Sequence, residues 1–259
     1  MKSRSATVLV AASVFAIAMS VFAIAMSVHA AEIKVLSGSG AKSAVAALGA
    51  KFERESGHKV TISFAVNPQV RRRIESDEAF DVAILNPPVL DALIRQGKVV
   101  AGTRTVLGRA GIGMAVRQGA AVPDISSVAA FKRTLLGAKS VSYPGEGASG
   151  KYFAGLVERL GIGADMKPKM RPMSAEDNVE AVARGDVEMV AVVASHITGV
   201  PGVQFVGLIP QELQTWIGFT AGLGSAAREP EAARAMLRFF GSPAAASILR
   251  AAGVEPFKE

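Results

Sequence analysis

From Glu32 onward the chain alternates short β-rich or unbroken apolar runs with stripes of apolar residues at helical spacing, and glycine ends most of those stripes. Glu32–Leu36 is followed by Ala41, Val45, Leu48 and Phe52, which recur every three to four residues and stop at Gly57. Ser39 stands where a helix cap belongs. Lys59–Val66 alternates as a strand, and Phe80–Leu85 is a near-continuous apolar run of the kind buried on both faces of a parallel sheet. Asn86-Pro87 then opens a helix that carries Leu90, Leu93 and Ile94 on one face and ends at Gly97. Strand and helix in strict succession predict an α/β fold with a parallel sheet.

The same order recurs downstream. Ile112–Val116, Lys139–Tyr143, Val187–Val193 and Trp216–Ala221 read as strands. Helical stripes run through Val128, Phe131 and Leu135, and through Phe153, Leu156, Val157 and Leu160 up to Gly161. Ser174-Ala175-Glu176-Asp177 resembles a capping box, and helices follow at Pro230 to Phe240 and from Ser242-Pro243. This order fits two α/β lobes joined by two or more chain crossings, near Arg109–Gly113 and Thr215–Ala221.

The N-terminus is of another kind. Lys2 and Arg4 precede an uncharged stretch from Thr7 to Val28, and Val28-His29-Ala30 has the small-residue pattern of a cleavage site. Residues 1–30 are therefore expected to be a cleavable secretory signal peptide. Its apolar part is long because SVFAIAM, Ser13 to Met19, is repeated directly as Ser20 to Met26.

Composition removes several functions. With no cysteine among 259 residues there is no disulfide framework, thiolate metal site or cysteine nucleophile. Three histidines, His29, His58 and His196, make a multi-histidine metal centre a poor expectation, and none is expected. His58 reads as an exposed loop residue, and His196, just past the apolar run ending at Ala194, as one able to line a cleft. The net charge of +7 is scattered, with one tryptophan and two tyrosines to serve as stacking platforms, so nucleic acid is not an expected partner. The one basic run, Arg71-Arg72-Arg73, reads as a solvated helix face. No GxSxG elbow, HExxH or zinc spacing announces catalysis, so the chain is expected not to be an enzyme and to need no cofactor.

The sharpest local pattern is Gly145-Glu146-Gly147-Ala148-Ser149-Gly150-Lys151, between a strand and a helix. It satisfies GxGxxG and GxxxxGK, but Tyr152 replaces the small hydroxyl that a nucleotide-bound magnesium requires, and no acidic residue ends the next strand. What remains is the physics those motifs share: glycine-rich backbone amides at a helix start attract an anion. Ser37-Gly38-Ser39-Gly40 has the same design. Asn67 and Asn86 each end a strand just before a proline. Ends of parallel strands are where open α/β sheets bind ligands. Ser37, Ser39, Gly40, Asn67, Asn86, Ser149 and Gly150 are the candidate ligand-binding residues.

Read as a whole, the chain resembles the exported type II solute-binding proteins of ABC importers, in the molybdate-binding-protein-like branch. The likeness runs over 31–259 and is carried by SGSGAKSAVAALGAKFERESGHKVTISF (37–64), FDVAILNPPVLDALIRQGKVVAGTR (80–104), GASGKYFAGLVERLGI (147–162), PDISSVAAFKRTLLGAKSVSY (123–143) and EPEAARAMLRFFGSPAAASILRAAG (229–253). The resemblance implies a two-lobed type II periplasmic-binding-protein fold, each lobe a mostly parallel sheet flanked by helices. Residues 31–110 with 218–259 would form lobe 1 and 111–217 lobe 2. It implies a periplasmic monomer that takes a small anionic ligand into the interlobe cleft and docks on a membrane permease. It also implies a molybdate- or tungstate-like oxyanion held by hydroxyls and backbone amides on Ser37, Ser39, Gly40, Asn67, Ser149 and Gly150, with no metal ion. Departures from the branch occur at Gly40, at Ala65-Val66-Asn67-Pro68 and at Val192–Ala194, where a tyrosine is missing. A small carboxylate is the alternative ligand, with Arg72, Arg109 or Lys151 as its charged partners. An exported sensor or adaptor is the alternative role.

Overall fold

A computed structural model describes residues 30–175 and 177–256 of the chain. The expected signal peptide falls on residues outside this described set except for Ala30, and Glu176 of the capping-box sequence is outside it too.

The first third folds as its periodicity requires. β1 (Glu32–Gly38) pairs in parallel with β2 (Lys59–Ala65) on one side and β3 (Val82–Leu85) on the other. α1 (Lys42–Ser56) packs Ala44, Val45, Leu48 and Phe52 inward. Gly49 of that helix approaches so closely that a Cβ there would lie 2.8 Å from Ile62 Cδ1. Gly57 ends α1 in the left-handed conformation, φ 73°, which a glycine adopts without a side-chain penalty. Ser39 is not a cap: Gly38 holds the extended cap position, and Ser39 is drawn into a short 3-10 turn, Ser39–Ala41, ahead of α1. α2 (Asn67–Glu75) and α3 (Pro87–Arg95) follow β2 and β3.

β4 (Thr105–Arg117) is thirteen residues long and serves two groups of strands. Its first half pairs antiparallel with β9 (Trp216–Leu223), which in turn pairs antiparallel with β3. Its second half pairs antiparallel with β7 (Met189–Val193) and β8 (Val203–Leu208). The change of neighbour falls between Gly111, opposite Trp216, and Ile112, opposite Val193. There Gln214 stands in for a strand: its Oε1 accepts from Ile112 N–H at 2.7 Å and its Nε2 donates to Ile112 C=O at 3.0 Å. The remaining strands, β5 (Val141–Pro144) and β6 (Met170–Met173), pair in parallel, as do β5 and β7.

The strand order is β2-β1-β3-β9-β4-β7-β5-β6 with β8 on β4, so two parallel groups are joined through antiparallel crossing strands. This is a two-lobed α/β architecture. One hydrophobic cluster, with Leu36, Val70, Ile74, Leu90 and Leu93, lies under the first group. Another, with Ile112, Phe131, Val141, Phe153, Leu156 and Ala191, lies under the second. Phe131 and Phe153 are fully buried, and each large apolar side chain removed from water contributes roughly 1.5–3 kcal/mol. α4 (Val128–Gly137), α5 (Ala148–Arg159), α6 (Gly163–Met166), α7 (Asp177–Arg184) and α8 (Ala194–Ile197) belong to the second group of strands. α9 (Pro230–Phe240) and α10 (Pro243–Ala251) follow β9.

A donor-lined cleft at the strand ends

The carboxyl ends of β1, β2, β3, β5 and β7 converge on one cavity of about 40 Å³. Its wall includes Ser39 and Gly40 after β1, Asn67 after β2, Asn86 after β3, Pro144 and Gly147 to Ser149 after β5, and Val192, Val193 and His196 at the end of β7 and in α8. Ala175 and, from β9, Ile217 and Phe219 complete it. Five of the seven residues expected from the sequence are thus on the wall. Ser37 and Gly150 are next to it rather than on it. Ser37 is fully buried, with its hydroxyl donating to Gly38 C=O at 3.2 Å. Gly150 permits a close helix–strand approach, since a Cβ there would fall 1.8 Å from Pro144 C=O.

The helix starts around this cavity share a property. The segments beginning after Gly38, Val66, Asn86 and Gly147 have no side-chain cap. Away from the wall, the starts of α4 and α10 are closed by the hydroxyls of Ser127 and Ser242, whereas those of α6 and α9 have no side-chain cap either. The uncapped starts are not equal as donors. Pro87 and Pro88 open α3 and Pro68 is second in α2, so those ends have lost N–H groups. The other two starts, the Ser39–Ala41 turn and α5, contain no proline. In α5 the first intrahelical bond is Lys151 N–H to Gly147 C=O, leaving Ala148, Ser149 and Gly150 N–H without an intrahelical acceptor. The hydroxyl-bearing residues Ser39 and Ser149 are 3% and 6% exposed at these two places.

The two asparagines divide their work. Asn67 Oδ1 accepts Asn86 N–H at 2.9 Å, which turns its Nδ2 toward Gly38. That nitrogen lies 2.8 Å from where a Cβ on residue 38 would be, so only glycine leaves it room. Asn86 Nδ2 donates to Gly218 C=O at 2.8 Å and ties β3 to β9. Asn86 therefore orients the wall and Asn67 presents the donor.

Among the described residues lining the cavity there is no lysine, arginine, aspartate or glutamate. Arg72, Arg109 and Lys151, the charged partners a carboxylate would use, are not on the wall; Arg109 instead covers the Trp216 ring at 4.2 Å and faces Glu255 at 3.5 Å. Of the arginine run only Arg72 is the solvated residue expected; Arg71 and Arg73 are half-buried, Arg71 on Glu75 and Arg73 on Glu78 and Ser63. No group of three or more His, Asp or Glu among the described residues could hold a metal ion. Phe219 and Ile217 are among the wall residues with no sequence signal: their strand is legible, but an antiparallel strand pattern does not say which cleft it passes behind.

The chain matches the family described as bacterial extracellular solute-binding protein over residues 33–255. It is 35% identical over 230 residues to an aconitate isomerase from a Pseudomonas species, covering 86% of this chain and 87% of that protein. It is 25% identical over 208 residues to the molybdate-binding protein of Rhodobacter capsulatus, covering 80% and 81% of the two chains. The structure of the periplasmic molybdate-binding protein of Azotobacter vinelandii has the same fold, with a TM-score of 0.77 at 17% identity, covering 87% of this chain and all of that one. No helix among the described residues is long and apolar enough to cross a membrane. With a match over nearly all of the chain beyond residue 32, the protein belongs to the family of bacterial extracellular solute-binding proteins, and it has the type II fold of the periplasmic molybdate-binding proteins.

Proposed function

We propose that the protein is a periplasmic receptor of an ABC importer, exported by a signal peptide in residues 1–30, that encloses a small anion between lobes formed by 31–110 with 218–259 and by 111–217. Binding favours the closed arrangement because each lobe supplies part of the donor set, and the closed form presents both lobes to a membrane permease. One observation carries this reading: helix starts without side-chain caps, from both groups of strands, face a single cavity whose described wall bears no fixed charge other than what a histidine can acquire. Backbone amides and hydroxyls there can neutralise an anion without a counter-ion.

An oxyanion of the molybdate or tungstate type is the ligand this geometry favours. A cavity of 40 Å³ has room for about three waters, which suits a compact tetrahedral ion and not a tricarboxylate unless the lobes part. The relative named aconitate isomerase favours a second reading, a polycarboxylate ligand and with it the possibility of turnover. In the receptor reading the protein binds without turnover.

The test is thermal unfolding of the protein against molybdate, tungstate, sulfate, phosphate and small di- and tricarboxylates including cis-aconitate. A ligand at about 100 times its dissociation constant adds ~2.7 kcal/mol, a shift of several degrees for a domain of this size. Stabilisation by molybdate and tungstate is the expected result. Stabilisation by carboxylates alone replaces the ligand and keeps the receptor. Conversion of cis-aconitate to its isomer, followed by proton NMR, would replace the receptor by an enzyme.

A further inference from the structure

We infer that His196 couples anion binding in this cleft to uptake of a proton, so that the site takes its ligand most tightly with the imidazole protonated. The inference rests on the cleft being the anion site proposed above, and it adds to that reading the group that regulates affinity.

His196 is 7% exposed and lines the cavity together with Ser39, Asn67 and Ser149. It is the one ionisable side chain among the described residues of the wall. Everything else there is a dipole, whose strength does not change with pH. A histidine titrates near 6.5 when unperturbed, inside the range an exported protein meets. An anion brought within contact distance favours the charged imidazolium over the neutral ring. Binding to the neutral form leaves the anion with dipoles alone; binding to the charged form adds one full positive charge in a nearly dry site, where charges act more strongly than in water.

The surroundings supply no competing titration on the ligand side. α8 packs against the Ser39–Ala41 turn, α1, β4, β7 and β8. The turn, β7 and β8 contain no ionisable residue. β4 contributes Arg109, held over Trp216 and beside Glu255, and Arg117, which lies against Gly185. From α1 the nearest in sequence is Lys42, exposed at the first position; Lys51, Glu53, Arg54 and Glu55 follow two or more turns later, with Lys51 paired to Glu55.

The experiment is isothermal titration calorimetry of the protein with molybdate, and with cis-aconitate, at several pH values from 6 to 8 and in buffers of different ionisation enthalpy, which together report the protons taken up per anion bound. The expected result is net uptake approaching one proton near pH 7.5, with affinity falling toward tenfold per pH unit above the histidine's titration. His196→Gln keeps a polar side chain of similar length and removes the titration. It is expected to abolish the uptake and flatten the pH profile, with the largest loss of affinity relative to the parent at pH 6, where the parent imidazole is charged. Binding without proton uptake by the parent protein overturns the role of His196 and leaves the receptor standing, whether or not the variant folds. Uptake that persists in His196→Gln also overturns it. Absence of binding by either probe and by every other anion of the thermal panel removes the anion site itself.

Discussion

At the scale of single residues, the cleft depends on places where a side chain cannot be added. Gly150 is the clearest case. Its missing Cβ lets the start of α5 rest against β5, with Pro144 C=O 1.8 Å from where that carbon would be. Its φ is not in the left-handed region, so the need is one of space and not of backbone conformation. Gly150→Ala must therefore push α5 away from Pro144, carrying Ser149 and the free amides of Ala148–Gly150 with it. We expect it to cost roughly 1–3 kcal/mol in stability, as overpacking does, and to weaken anion binding more than Ser149→Ala, which removes one hydroxyl worth ~1–3 kcal/mol toward a charged group. Denaturant unfolding and titration with the stabilising anion measure the two effects. Equal or tighter binding in Gly150→Ala would show that the α5 start does not touch the ligand. Gly38 makes the same argument from the other lobe, through Asn67 Nδ2.

At the scale of elements, the helices that aim donors at the cleft are themselves anchored at their far ends. α2 ends in a cluster where Arg73 donates to both Glu78 carboxylate oxygens, at 2.6 and 2.7 Å, and to Ser63 Oγ on β2 at 2.9 Å. The Arg73 guanidinium is the main cause that lowers the Glu78 carboxyl from 4.5 to about 2; partial burial opposes it and Lys34 assists. A carboxyl depressed in the folded state stabilises the fold fully above about pH 4.5 and loses that contribution as the pH falls toward 2. Because Glu78 is about a third exposed at 30%, the contribution is expected to be at most ~1 kcal/mol. Glu78→Gln should lower stability at pH 6 and converge on the parent by pH 2 in urea unfolding; a constant difference across that range would assign the effect to packing. A second anchor is Asp81, 3% exposed, whose carboxylate accepts Lys34, Arg228 and Glu229 N–H and so joins β1 to the approach of α9. Elements of this kind were legible as elements and not as anchors. The parallel strands β1, β2, β3, β5 and β7 and the helices after them follow from apolar spacing, and four candidate site residues, Ser39, Asn67, Asn86 and Ser149, follow from the polar residues at their ends. The first half of β4, with β6 and β8, did not: Thr105–Arg109 looks like loop sequence, Met170–Met173 contains a proline and β8 is half-buried without strict alternation, because all three take their pairing from neighbours distant in the chain. Ser39 departs from the cap position that its sequence suggests for a related reason. Its sequence context is that of a helix start, but a 3-10 turn intervenes and buries it.

At the scale of the whole molecule, the function proposed requires that the lobes open and close, and contacts across the cleft set how readily they do. Ser195, fully buried in α8, donates to Gly40 C=O at 2.5 Å, and its own carbonyl accepts from Ser43 Oγ at 2.9 Å. One partner follows β7 and the other two follow β1, so these bonds tie the two groups of strands beside the cavity without being part of its hydroxyl donor set. On the proposed function they would stabilise the closed arrangement directly, whereas the ligand would stabilise it only through its own contacts. Removing Ser195 Oγ leaves Gly40 C=O free to meet water when the lobes part, which favours the open state by about the worth of one hydrogen bond, ~1 kcal/mol. Ser195→Ala should then weaken anion affinity about fivefold, chiefly through faster release. Ser43→Ala should act in the same direction. The ligand-free Ser195→Ala protein should also show a larger radius of gyration by small-angle X-ray scattering, and saturating anion should bring it back to the parent value, since a ligand that bridges the lobes restores closure whatever the latch contributes. If the radius is unchanged and affinity still falls, Ser195 shapes the wall through Gly40 and is not a latch. If both are unchanged, closure is governed elsewhere, and the crossing at Gly111–Ile112 with its Gln214 strut becomes the place where lobe motion is controlled.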